Sequence, residues 1–95
     1  MRLALYASNV RATAPNLVAL QDEALSALPT VLVCPLKAGV ALTAVRVEVH
    51  WRREKLIACS ELTRPIRRTA LRPMGGLDEA TSKLIMERFL KLLAR

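Results

Sequence analysis

Apolar residues fall in short runs along the first two-thirds of the chain and at helical spacing only at its end. Leu3–Ala7 is one such run, Leu17–Gln21 a second, and Val31–Leu36 (VLVCPL) a third, continuous enough to predict a central strand. Pro35, near the end of that run, predicts that its pairing stops there. Leu42–Trp51 alternates instead. Val45, Val47 and Val49 share one side while Arg46, Glu48 and His50 share the other, the period of a half-buried antiparallel strand. The polar stretch Trp51–Lys55 predicts a turn, with Leu56–Cys59 pairing back as a hairpin partner. Ser8–Asn16 reads as a loop with Arg11 at its middle, and Asp22–Pro29 as a second connection.

The pattern changes after Cys59. Pro65 and Pro73 forbid a helix through Arg64–Pro73, which leaves short strands or extended turns. Ser60 and Thr63 flank Glu61 just after a strand, a setting for hydroxyls that bond a turn. Past Gly75 and Gly76, Asp78 is placed to cap a helix and Glu79 suits its positive end. Leu84, Ile85, Phe89, Leu92 and Leu93 then recur at three- and four-residue spacing, an apolar stripe for core or dimer packing. Glu79 with Lys83 and Glu87 with Lys91 are acid-before-base pairs four residues apart. About five strands followed by one helix predict a mainly β domain, a small antiparallel barrel closed by a C-terminal helix.

Composition sharpens this. Ninety-five residues support one domain, residues 1–95, and with 53% hydrophobic but 3% aromatic residues its core is aliphatic. So small a core makes a homodimer the default expectation. Fifteen Lys and Arg against eight acids give a net charge of +7, which attracts polyanions or an acidic protein partner. Eleven of the fifteen are arginine, whose planar fork matches phosphate and stacks on bases. Seven basic residues lie between Arg52 and Arg72, opposed only by Glu54 and Glu61. Arg52, Arg53 and Lys55 flank the hairpin turn and Arg64, Arg67, Arg68 and Arg72 follow it. Together they are candidates for one positive face toward RNA or an acidic protein tail. Trp51, the sole tryptophan, stands beside them either as a base-stacking platform or as packing at a dimer surface.

Cys34 and Cys59 sit inside apolar runs and read as buried free thiols. His50 is the only histidine, so neither a zinc site nor a Ser-His-Asp triad is supported, and no metal or cofactor is expected. The N-terminal apolar run is too short to span a membrane and lacks a signal-peptide core, which points to the cytoplasm.

Several stretches resemble the MazF/PemK and CcdB superfamily of bacterial toxins. The first half (LALYAS, a loop, then NLVALQDEALSALPTVLVCPL) is similar to CcdB. The second half is closer to MazF, with a Val-rich strand, a hairpin, ACSEL, a basic segment and GGLDEATSKLIMERFLKLL. The resemblance implies an SH3-like barrel with a C-terminal helix, usually dimeric. It also implies the toxin half of a type II toxin–antitoxin pair, whose cognate antitoxin carries an acidic or disordered tail that suits a +7 partner.

Two activities follow from it. A MazF-like enzyme cuts single-stranded RNA without metal, the RNA's own 2′-hydroxyl attacking the adjacent phosphorus, so the protein supplies proton transfer and donors to the developing charge. By resemblance, Arg11 in the loop between the first two strands is the catalytic arginine; as an ordinary residue it is a loop charge. The family places Thr or Ser directly after the Pro-Leu of the third strand, whereas this chain has Lys37, a phosphate-binding candidate or a solvated strand-end lysine. The family's Glu-Gln-x-Gly-x-Arg-Pro loop spelling is also absent. The CcdB-like alternative poisons DNA gyrase through a C-terminal Trp-Gly-Ile, but this chain ends Leu-Leu-Ala-Arg. A catalytically degenerate member that binds RNA or only its antitoxin is the remaining alternative.

Overall fold

The computed structural model describes residues 2–8, 11–20 and 28–93. Among these residues are seven strands: β1 (Ala4–Ala7), β2 (Leu17–Ala19), β3 (Thr30–Lys37), β4 (Arg46–Trp51), β5 (Glu54–Cys59), β6 (Arg64–Arg67) and β7 (Arg72–Gly76). One helix, α1 (Glu79–Leu93), follows them. The sheet is antiparallel in the order β4-β5-β3-β2-β1-β7, with β6 also paired to β3, and it curls into a half-barrel capped by α1.

The apolar runs become strands because both faces of the sheet are covered. Val18, Leu20, Cys34 and Leu36 join Val47, Val49 and Leu56 in the main core, which also receives Leu3, Leu5, Leu77 and Ile85. Leu17, Ala19, Val31 and Val33 point the other way, into a second cluster completed by Tyr6, Ile66 and Leu71. Alternation between buried and exposed residues is clearest in β4, where Val47 and Val49 are buried while Glu48 and His50 are exposed.

Pairing does not stop at Pro35, which lies opposite Leu17 while β3 runs on to Lys37. Along its other edge, β3 pairs with β6 through Val33 and with β5 from Leu36 onward. The missing proline N–H falls at this change of partner, so no ladder bond is lost. Strand β4 begins at Arg46 instead of Leu42, because carbonyls of the preceding segment bond side chains. Ala41 O accepts from Arg46 Nη1 at 2.9 Å, and Ala44 O from Arg88 Nη1 at 3.0 Å. The proline-rich stretch supplies β6 and β7, which raises the strand number from about five to seven. The connection expected at Asp22–Pro29 lies outside the described residues except for Leu28 and Pro29.

Asp78 caps α1, its Oδ2 accepting the Thr81 N–H at 3.0 Å, and these bonds hold its carboxyl below the usual range. Helix and strand are also sewn together at the chain start. The Leu3 N–H donates to buried Ser82 Oγ at 2.9 Å, Leu77 N–H to Leu3 O at 2.9 Å, and Arg2 Nε to Leu77 O at 3.0 Å. The expected stripe divides. Ile85 is buried and Phe89 packs on the core, whereas Leu84 (38%) and Leu93 (66%) are exposed, as is Leu90 (53%). The main-core contacts of Met86, which the stripe omitted, show that the core-facing surface is rotated toward Ser82, Ile85, Met86 and Phe89.

Candidate nucleic-acid interface

Strand register assembles most of the candidate residues at one end of the sheet. Leu17 opposite Pro35 puts the start of β2 beside the end of β3, and Tyr6 opposite Leu17 brings the end of β1 to the same place. The loop carrying Arg11 and the strand end carrying Lys37 therefore emerge together, both exposed. Ala7 opposite Arg72 adds the first residue of β7. Lys37 opposite Ile57 leaves the β4–β5 hairpin projecting three residues further, roughly 10 Å at strand rise, in the same direction.

The loop is braced at its base by Asn16. Its Oδ1 accepts the Ser8 N–H at 3.0 Å and its Nδ2 donates to Ser8 Oγ at 2.8 Å. Its backbone N–H donates to Tyr6 O at 3.0 Å, and its carbonyl accepts from Leu36 N–H at 2.8 Å. One residue thus ties the loop ends to each other and to the strand ending in Lys37. From the other side Arg72 Nη2 donates to Ala12 O, next to Arg11. Arg72 is half-buried and holds the loop, a different task from the open phosphate contact its charge suggests. Sequence reading did not single out Asn16; its one visible signal is an Asn immediately before an apolar strand.

The hairpin closes through two residues, Arg52 (φ 45°) and Arg53 (φ 71°), both in the left-handed region. Turns of this shape favour Asn-Gly, since a side chain there costs on the order of 1 kcal/mol or more per residue. The Arg52 guanidinium lies 4.7 Å from the centre of the Trp51 ring, a cation–π contact, and Trp51 itself packs against the main core. On the outer face behind the tip, His50 Nε2 lies 3.0 Å from Glu48 Oε2, with Lys55 Nζ 3.8 Å from Glu48 Oε1.

The connection after β5 is distributed differently from a single positive face. Arg64 lies opposite Val33 and Arg67 opposite Thr30, so Arg67 and Arg68 sit at the far end of β3 from the hairpin. Arg68 is tethered there, its Nε donating to Leu28 O at 2.9 Å and its backbone N–H to Pro29 O at 2.9 Å. Of the two hydroxyls around Glu61, Thr63 Oγ1 donates to Ser60 O at 2.8 Å, a turn bond, while Ser60 is buried. Glu61 itself bonds Arg46 Nε at 2.7 Å.

Both cysteines are free and buried. Burial pushes the Cys34 thiol up to about 12, with the neighbouring Cys59 adding to the shift, and burial raises Cys59 too. Neither is an activated nucleophile. Among the described residues no three His, Cys, Asp or Glu side chains come together as a metal site, and no helix is long and apolar enough to cross a membrane.

Fold and site together describe a small β half-barrel, capped by one helix, that presents cationic groups at one end. No family model matches the chain, and no curated protein matches it.

Proposed function

We propose that the protein is the toxin of a type II toxin–antitoxin pair and acts as a metal-independent endoribonuclease on single-stranded RNA. The observation that carries this reading is the convergence of the braced Arg11 loop, Lys37 and the arginine hairpin on one end of the sheet. That arrangement suits a reaction in which the protein mainly binds phosphate and stabilises charge. The RNA 2′-oxygen forms a bond to phosphorus as the P–O5′ bond breaks, leaving a 2′,3′-cyclic phosphate and a 5′-hydroxyl. The proton lost by the 2′-hydroxyl is balanced by the one the 5′-oxygen gains. Arg11 and Lys37 donate to the non-bridging oxygens, whose charge grows in the transition state.

On this reading the chain works in the cytoplasm, where its substrate is. It dimerises through apolar surface such as Leu84, Leu90 and Leu93, and the acidic tail of an antitoxin neutralises its cationic end. The decisive variant is Arg11→Ala. It keeps the circular dichroism of the parent and loses RNA cleavage. Cleavage at the parent rate removes Arg11 from the site.

A further inference from the structure

Five arginines of this chain are already committed within the fold. Arg2, Arg68, Arg72 and Arg88 donate to backbone carbonyls and Arg46 to Glu61. Among the described residues Arg53 forms no hydrogen bond or ion pair, and Arg52 is engaged only with Trp51. Both nevertheless occupy backbone positions that penalise a side chain. The contact with Trp51 offsets part of that cost for Arg52, whereas Arg53 adds no bond to the fold, so its place at a strained position is explained by something outside the fold.

We propose that the tip of the β4–β5 hairpin is a binding site for single-stranded nucleic acid, with Arg52 receiving a base and Arg53 an adjacent phosphate. Trp51 is packed on the core and the exposed Arg52 guanidinium lies over its ring, so the guanidinium is the group of the pair left open to solvent. Stacked on a fixed aromatic ring, the guanidinium loses little freedom when an unpaired base lies on its other face. Arg53 is exposed at the turn, where its fork can take a phosphate in two bonds. Lys55, held beside Glu48, adds charge behind the tip. The planar guanidinium favours a base over an acidic peptide, which needs charge but no stacking surface. This inference goes beyond the ribonuclease reading and stands without it, because a strand can bind at the tip whether or not it is cut.

The test separates binding from cleavage by using a 2′-O-methyl RNA dodecamer, which lacks the attacking hydroxyl, with a DNA strand of the same sequence beside it. Trp51 is the sole tryptophan, so its fluorescence reports on the tip directly. The expected result is a saturable change in Trp51 emission with both strands, and much weaker binding of an abasic strand of equal length and charge. The double variant Arg52→Asn/Arg53→Gly is expected to melt at a higher temperature yet bind at least tenfold more weakly. Arg64→Ala/Arg67→Ala, which removes the same charge elsewhere, is expected to weaken binding less. The higher melting temperature shows that lost binding is not lost folding. Parent-like affinity in the Asn-Gly variant overturns the proposal. So does equal binding of the abasic strand, or an equal Trp51 response to a polyglutamate peptide.

Discussion

Asn16→Ala separates the geometry of the Arg11 loop from the stability of the fold. The substitution removes two side-chain bonds, to the Ser8 N–H at 3.0 Å and the Ser8 Oγ at 2.8 Å. It spares the two backbone bonds of residue 16, to Tyr6 and Leu36. A net hydrogen bond contributes about 0.5–1.5 kcal/mol, and both lost bonds are solvent-exposed, so the expected destabilisation is about 1 kcal/mol. For a domain of this size that lowers the melting temperature by roughly 4–8 °C. The effect on chemistry is larger. A displacement of about 1 Å at a positioning element can cost on the order of a hundredfold in rate, and Arg11 lies in the segment that Asn16 closes. Thermal unfolding followed by circular dichroism, with initial cleavage rates on a fluorogenic RNA, measures both quantities. The expected outcome is a modest drop in melting temperature with at least a tenfold loss of rate. A rate within twofold of the parent refutes the idea that this bracket sets the Arg11 loop.

Ser82→Ala is the reciprocal case. It orphans the buried Leu3 N–H that now donates to Ser82 Oγ, costs about 1–3 kcal/mol, and leaves the rate per folded molecule unchanged. Urea titration checks the first part, and activity normalised to the folded fraction the second. The thiols predict a pH dependence. A folded-state pKa raised to about 12 means that Cys34 keeps its proton while the unfolded thiol loses its own, near pH 9. Its contribution is complete below pH 9 and is lost as pH rises toward 12, by at most about 1.4 kcal/mol per pH unit. Comparing denaturant midpoints at pH 8 and 10.5 for parent and Cys34→Ala should show the smaller loss in the variant, and equal losses contradict the assignment. At pH 8 the folded protein should also resist iodoacetamide until it is unfolded.

The sequence was legible where local rules decide the outcome. Asp78 capping the helix, the break in helical pattern at Pro65 and Pro73, and the alternation of Val47 and Val49 each depend on neighbours within a few residues. What escaped was set by distant partners. The continuation of β3 past Pro35 depends on an exchange of neighbours between β6 and β5, which no property of Pro35 announces. The inward face of α1 is set by distant partners such as Leu3, whose N–H bonds Ser82 across 79 residues, and the stripe expected for core or dimer packing divides, with Ile85 and Phe89 at the core and Leu84 and Leu93 exposed. The basic residues show the same limit. Charge density marked out Arg52 to Arg72 but could not tell the uncommitted Arg53 from Arg72, which spends its guanidinium on Ala12, or from Arg68 at the opposite end of β3. Arg11 and Lys37 are 26 positions apart in the chain, and only the pairing of β1, β2 and β3 brings their segments to one end.

The central claim is metal-independent cleavage of RNA at that end of the sheet. Purified protein incubated with a single-stranded transcript in excess EDTA, followed by mapping of the new ends, tests it most directly. The account predicts fragments bearing 2′,3′-cyclic phosphates and 5′-hydroxyls, formed by the parent and not by Arg11→Ala. An intact transcript after prolonged incubation at high protein concentration, or fragments bearing 5′-phosphates, contradicts it.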